Sequence, residues 1–126
     1  MNLLNIVSSG YRATVEEQDD TVVWISHAIR NADADVDLLL CGSAANYSVK
    51  GQSVEPIMLG GRTQKHAPDV HGQVRKLLEA GSRVFAVSDE LEARGIDSSQ
   101  LLEDVQLVRA DELPGLLNGY DHVWHW

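Results

Sequence analysis

The chain carries one thiol, Cys41, at the end of the apolar run VDLLLCG. A thiol is a nucleophile only as thiolate, which needs a cation or a helix dipole beside it, and the neighbouring residues supply no cation. Free cysteine is also among the most buried residue types, so a packed core cysteine and a working thiol at a cleft rim both stay open for Cys41. A second reactive candidate is Ser88, at the break in VFAVSDELEARGID between an apolar run and an acidic one. With Asp89 it would form a hydrolytic triad only if folding brought a histidine to it, and AVSDE lacks the glycines of a G-x-S-x-G elbow. The plainer reading makes Ser88 an N-cap, with Asp89 and Glu90 at the positive end of a helix dipole.

The stretch SSGYRAT offers Ser8, Ser9, Gly10 and Tyr11 ahead of an expected helix start. Free N–H groups at such a start attract anions, so these residues are either a phosphate cradle or an ordinary capped turn. Gly42, Ser43 and Asn46 follow Cys41 in another polar loop. His122 and His125 are three apart on an expected strand, which puts them on opposite faces. His66 and His71 straddle a loop and a helix start with no third ligand spaced to join them. No metal and no cofactor are expected.

These residues have to be held by something. The 126 residues suit a single domain spanning 1–126, with 44% hydrophobic and 23% charged residues, near the globular average. No apolar run approaches the roughly 18 residues of a membrane span, and the start of the chain lacks the marks of a leader, which reads as a cytoplasmic protein. A formal charge of -9 argues against general binding to nucleic acid or to an anionic membrane. Residues 50 to 83 run the other way, with six cations against three carboxylates, so this middle region suits an anion or an acidic partner surface.

LLNIVSS predicts a buried strand. A helix is expected next, opened by a capping box at Thr14 and Glu17, with Val15, Val22, Ile25, Ala28 and Ile29 on its core face. The continuous run Val36 to Gly42 predicts a strand covered on both sides. The polar segment from Ser43 to Ala67 contains at most an irregular strand at VEPIML, and GGRTQKHAP reads as a mobile loop. Pro68 is placed for the first turn of a helix with Val70, Val74, Leu77 and Leu78 inward and Gly81 at its stop. RVFAVS is a strand, SSQLLED a turn or two of helix, and VQLV a buried strand. Asp111 is expected to cap a helix over ELPGLLN, and YDHVWHW is a closing strand with Trp124 and Trp126 on one face, filling either the core or a subunit interface. Strands alternating with helices give an α/β three-layer sandwich around a mainly parallel sheet of about five strands. Its ligand loops should follow the strand ends.

In this order of elements the chain resembles the DsrE/DsrF-like family of small α/β sulfur-relay proteins. The resemblance runs over nearly the whole chain and is most specific in LLEAGSRVFAVSDELEARGI, an aliphatic helix ending in Ala-Gly, a strand, and a short helix ending in Arg-Gly. It implies a trimer or hexamer, as a homo-oligomer or with related chains, and a sulfur-relay partner protein. Carriers of the family place a persulfide-forming cysteine eight residues before that last glycine. Here the glycine is Gly95 and the matching residue is Val87, which has no nucleophilic atom. The expectation is a non-carrier or binding subunit, with two alternatives: a carrier or transferase using Cys41 as a relocated thiol, or a binder of small anions at the loop after the first strand.

Overall fold

The computed structural model describes residues 1–12 and 19–126. The expected capping box at Thr14 and Glu17, and Val15 with it, lies outside the described residues. The order along the chain is β1 (Asn2–Val7), α1 (Thr21–Asn31), β2 (Asp35–Leu40), a 3₁₀ segment (Gly42–Ser48), the hairpin β3 (Met58–Leu59) and β4 (Arg62–Thr63), then α2 (Val70–Glu79), β5 (Val84–Val87) and α3 (Ser88–Ala93). It continues with a 3₁₀ turn (Ser98–Gln100), β6 (Gln106–Val108), a second 3₁₀ turn (Ala110–Glu112), α4 (Leu113–Leu117) and β7 (His122–His125).

Five strands form one sheet in the order β6-β5-β2-β1-β7, every neighbouring pair parallel. This is the expected α/β architecture, and its two faces are covered unequally. Val7, Leu38, Leu40, Val84 and Ala86 point to the face where α1, α2, the first 3₁₀ segment and α3 pack. Leu4, Ile6, Leu39, Phe85 and Val87 point to the other, where, among the described residues, α4 and its flanks pack through Leu113, Leu116, Leu117 and Tyr120. The central strands β1 and β2 are buried on both faces, so their sequences are continuous apolar runs rather than alternating ones.

Several local expectations are corrected. Asp20 caps α1, its Oδ1 accepting from the amides of Val22 and Val23. Val22, Val23 and Ser26 are its buried residues and Ala28 is exposed, so the inward stripe is rotated from the expected one. Asp69, not Pro68, opens α2 by accepting from the Gly72 amide, and Pro68 stands just before the cap. The end of VEPIML, expected to be at most an irregular strand, forms β3, and GGRTQKHAP, read as a mobile loop, supplies its antiparallel partner β4, the two joined at Gly60 and Gly61 with φ 56° and 78°. Two consecutive residues with positive φ are what a tight hairpin turn of the right twist requires. Of β6 only Val108 is buried, because this strand is a sheet edge. Val87 occupies the cap position of α3 and Ser88 is its first helical residue, so Ser88 is not the N-cap. Asp111 caps nothing: it pairs with Arg109 at 3.3 Å, and Glu112 Oε1 accepts from the Arg109 amide instead.

At the end of the sheet where strands begin, Asp37 interrupts the apolar run of β2 and is buried. Its Oδ2 accepts from Arg83 Nε at 2.9 Å and from the Tyr120 hydroxyl at 2.6 Å, while Oδ1 accepts from the Arg83 amide. A buried carboxylate needs such a full set of donors. This cluster ties β2, β5 and the approach to β7 together at the pole opposite the strand-end loops.

Candidate functional site

At the pole where the strands end there are two crevices. The first lies between the loops after β1 and β2. The Cys41 amide donates to Val7 O at 3.0 Å and the Gly10 amide to Ser43 Oγ at 2.8 Å. Gly42 has φ 54°, and a Cβ there would sit 2.4 Å from Ser8 O. A Cβ on Gly10 would press on the backbone of Ala44 and Ser43 at 3.1 Å. Both glycines thus permit a backbone approach that other residues forbid. The Tyr11 ring stands edge-on to that of Tyr47, with centroids 4.9 Å apart, and its hydroxyl donates to Gln52.

Tyr47 was not singled out by sequence, yet it anchors this crevice. It is fully buried, accepts from the Tyr11 amide, and donates to Asp20 Oδ2 at 2.7 Å. Burial is the main reason its phenol is pushed far above its ordinary value, and the Asp20 carboxylate opposes ionisation further. Asp20 in turn holds the first free amides of α1. The donors that an anion would use at this helix start are therefore occupied by the protein's own carboxylate. The Asn46 carbonyl accepts from Gln52 Nε2, and among the described residues its buried Oδ1 has no hydrogen-bond partner. Ser9 lies half-buried at the bend after β1.

Cys41 is half-buried and packs against the apolar cluster that contains Val87, so folding brings these two candidates onto one face. Its Sγ donates weakly to Val7 O at 3.6 Å. Burial pushes the thiol above its ordinary value and the Glu90 carboxylate pushes it the same way, the reverse of what a nucleophilic cysteine needs. Among the described residues no group of three His, Cys, Asp or Glu side chains is arranged to hold a metal ion.

The second crevice is between β5 and β6. The connection after β5 leaves on the face of α3, and the one after β6 leaves on the face of α4. Such a divergence is where open parallel sheets take ligands. Val87 closes β5 here and is only 3% exposed. Ser88 Oγ donates to Val108 O at 3.4 Å, and Asp89 Oδ1 accepts from the Ala110 amide at 2.9 Å, stitching the two strand ends together. That bond is the main reason the Asp89 carboxyl lies below its ordinary value. No histidine reaches Ser88 among its hydrogen-bond partners. Among the described residues the serine that does meet a histidine is Ser8, whose Oγ lies 3.0 Å from His125 Nε2 at the ends of β1 and β7. Sequence spacing gave no signal for that pair, because 117 residues separate its members.

Trp124 and Trp126 do lie on one face, edge-on to each other at 6.4 Å. They are 47% and 48% exposed, so the core alternative is overturned. Trp126 Nε1 donates to Asn5 Oδ1, and its backbone amide donates to Ile6 O.

No family model matches the chain, and no curated protein matches it. Solved structures do. The ychN protein from E. coli, which has the DsrE/DsrF-like fold, matches over 100% of both chains with a TM-score of 0.74 and 17% identity. A conserved protein of unknown function from Bacteroides thetaiotaomicron, BT1422, matches over 99% of this chain and 95% of its own, with a TM-score of 0.67 and 13% identity. MTH1491 of Methanobacterium thermoautotrophicum, also of unknown function, matches over 98% and 97%, with a TM-score of 0.62 and 19% identity. At these identities the likeness is one of fold, and it extends over the whole chain. No helix of the described residues is long and apolar enough to cross a membrane.

Proposed function

We propose that this protein is a sulfur-relay-type subunit without a carrier cysteine, working as a binding subunit in a symmetric oligomer of DsrE/DsrF-like chains. The observation that carries the reading is Val87: an aliphatic side chain, buried among Ile6, Leu39, Phe85 and Val108, stands where the resemblance calls for a persulfide. A sulfur-accepting atom has to be reached by a donor, and neither the residue type nor its burial allows it. Ser88, one residue on, offers a hydroxyl whose side-chain partner is the Asp89 carboxylate at 3.4 Å, a weak base with its pKa below the ordinary value, so it does not substitute for a thiolate.

The relocated-thiol alternative is weakened by charge. Cys41 faces Glu90 rather than a cation, so the neutral thiol prevails near neutral pH. The anion-binding alternative loses support at its loop, because the Gly10 and Tyr11 amides already donate to Ser43 Oγ and the Tyr47 hydroxyl, while its helix start near Thr14 lies outside the described residues. Binding of another protein is what remains for a surface that leaves Trp124 and Trp126 half exposed on an edge strand. Incubation with a sulfur donor, followed by intact mass spectrometry, tests the proposal. An unchanged mass is expected, whereas an added sulfur that disappears in Cys41→Ala would establish the carrier reading.

A further inference from the structure

The tip of the hairpin β3–β4 is left exposed by the described residues. Met58 and Leu59 are 69% and 73% exposed, and a Cβ placed on Gly60 or Gly61 would meet nothing within 4 Å. The hairpin is nonetheless defined, since the Gln64 amide donates to Ile57 O at 2.8 Å and closes the ladder below the turn. Residues 56–67 carry Arg62, Lys65 and His66 and no carboxylate. Neither Arg62 nor Lys65 forms an ion pair with a described residue.

A surface of matching character exists at the other side of the molecule's charge distribution. Residues 88–112 carry eight carboxylates against two arginines. Both arginines are already engaged, Arg94 with Glu90 at 2.7 Å and Arg109 with Asp111 at 3.3 Å. Between α3 and the edge strand β6 lies a cavity of about 220 Å³ with Leu91, Ile96 and Leu107 on its walls and Glu92 and Asp97 among its polar lining. No hairpin residue lines it. Leu107 is exposed there because β6 is the sheet edge.

We infer that the hairpin of one copy docks on the α3–β6 edge of a second copy, Met58 and Leu59 entering the apolar cavity while Arg62 and Lys65 meet Glu92 and Asp97. The charge complementarity selects the occupant: a basic, carboxylate-free tip and an acidic, apolar notch occur on the same chain, and among the described residues neither the tip cations nor Glu92 and Asp97 form an ion pair. Such a contact joins two different patches, so it is heterologous, and a rotation that closes it yields a ring. The inference rests on the oligomer of the preceding section and specifies its interface.

The test is light scattering at several concentrations on the wild type and on two separately folded variants, with circular dichroism checking that each retains native structure. Met58→Asp/Leu59→Asp blocks the tip, and Glu92→Lys/Asp97→Lys blocks the notch. Each variant alone should be a monomer. Mixed together, they should form a one-to-one dimer that grows no further, since one supplies the only working tip and the other the only working notch. Pairing Arg62→Glu/Lys65→Glu with Glu92→Lys/Asp97→Lys in one chain should restore assembly that either change alone weakens by about tenfold or more, and high salt should weaken the wild type. A wild-type oligomer untouched by the tip substitutions overturns this interface while leaving the oligomer itself standing. A monomeric wild type overturns both.

Discussion

Replacing Gly42 by alanine puts a methyl group into the tightest backbone approach at the strand-end pole. Two costs arise. At φ 54° an L side chain sits in the left-handed region, worth about 1–2 kcal/mol. The new Cβ also falls 2.4 Å from Ser8 O, a backbone atom that cannot swing aside, and overpacking of this kind costs about 1–3 kcal/mol. The combined loss is about 2–5 kcal/mol, a large part of the roughly 5–15 kcal/mol that holds a domain together. Gly51 supplies the control, because its φ is 78° but nothing lies within 4 Å of its Cβ. Gly51→Ala incurs the first cost alone, and the shared gain from a stiffer unfolded chain cancels between the two variants. Urea unfolding followed by far-ultraviolet circular dichroism, with unchanged slope, should therefore place Gly42→Ala below Gly51→Ala by about 1–3 kcal/mol. Equal midpoints for the two variants would refute the packed crevice between the loops after β1 and β2.

Tyr47→Phe removes a hydroxyl that donates to a buried carboxylate and accepts from the Tyr11 amide. It should destabilise the fold by about 1.5–3 kcal/mol in the same urea assay, and speed hydrogen exchange at the Tyr11 amide. Asp89 has its folded pKa lowered from an ordinary 3.8, so its contribution is present above that value and is lost as pH falls through the folded pKa. Asp89→Asn keeps an oxygen for the Ala110 amide, and its urea midpoint should fall less than that of the wild type between pH 5 and the acid range. For Cys41, burial and Glu90 both favour the neutral thiol. Alkylation by iodoacetamide near neutral pH should be slower than for glutathione and faster in Glu90→Gln than in the wild type, and an unchanged rate in that variant would discount the Glu90 charge.

The sheet was legible because its central strands, Leu3 to Val7 and Val36 to Leu40, are buried on both faces and so carry no polar interruption except Asn5 and Asp37. Those two exceptions are satisfied by partners far along the chain, Ser26 at 2.8 Å and the Arg83–Tyr120 pair, which spacing cannot reveal. Helix starts were less legible. Ser88 and Asp111 have capping side chains by type, but the backbone turns one residue earlier at Val87 and hands the role to Glu112 near Arg109. The first strand of the hairpin falls within the irregular strand expected at VEPIML, but β4 and its pairing were missed because strand residues with exposed side chains show no burial pattern, and the Gly60-Gly61 pair was the signal for the turn. At the site, the loops after β1, β2 and β5 were correctly brought together at one pole by the parallel topology. Tyr47 and Asp20, which fill the first crevice, were not foreseen, since their bond spans 27 residues and joins a loop to a helix cap.

The proposal that Val87 leaves this scaffold without a transferable sulfur is tested most directly by intact mass spectrometry of the wild-type protein after exposure to a persulfide donor, with gentle removal of excess reagent. The expected spectrum shows the unmodified chain alone. A stoichiometric gain of one sulfur atom, mapped to Cys41 and passed on to an acceptor thiol, would contradict it.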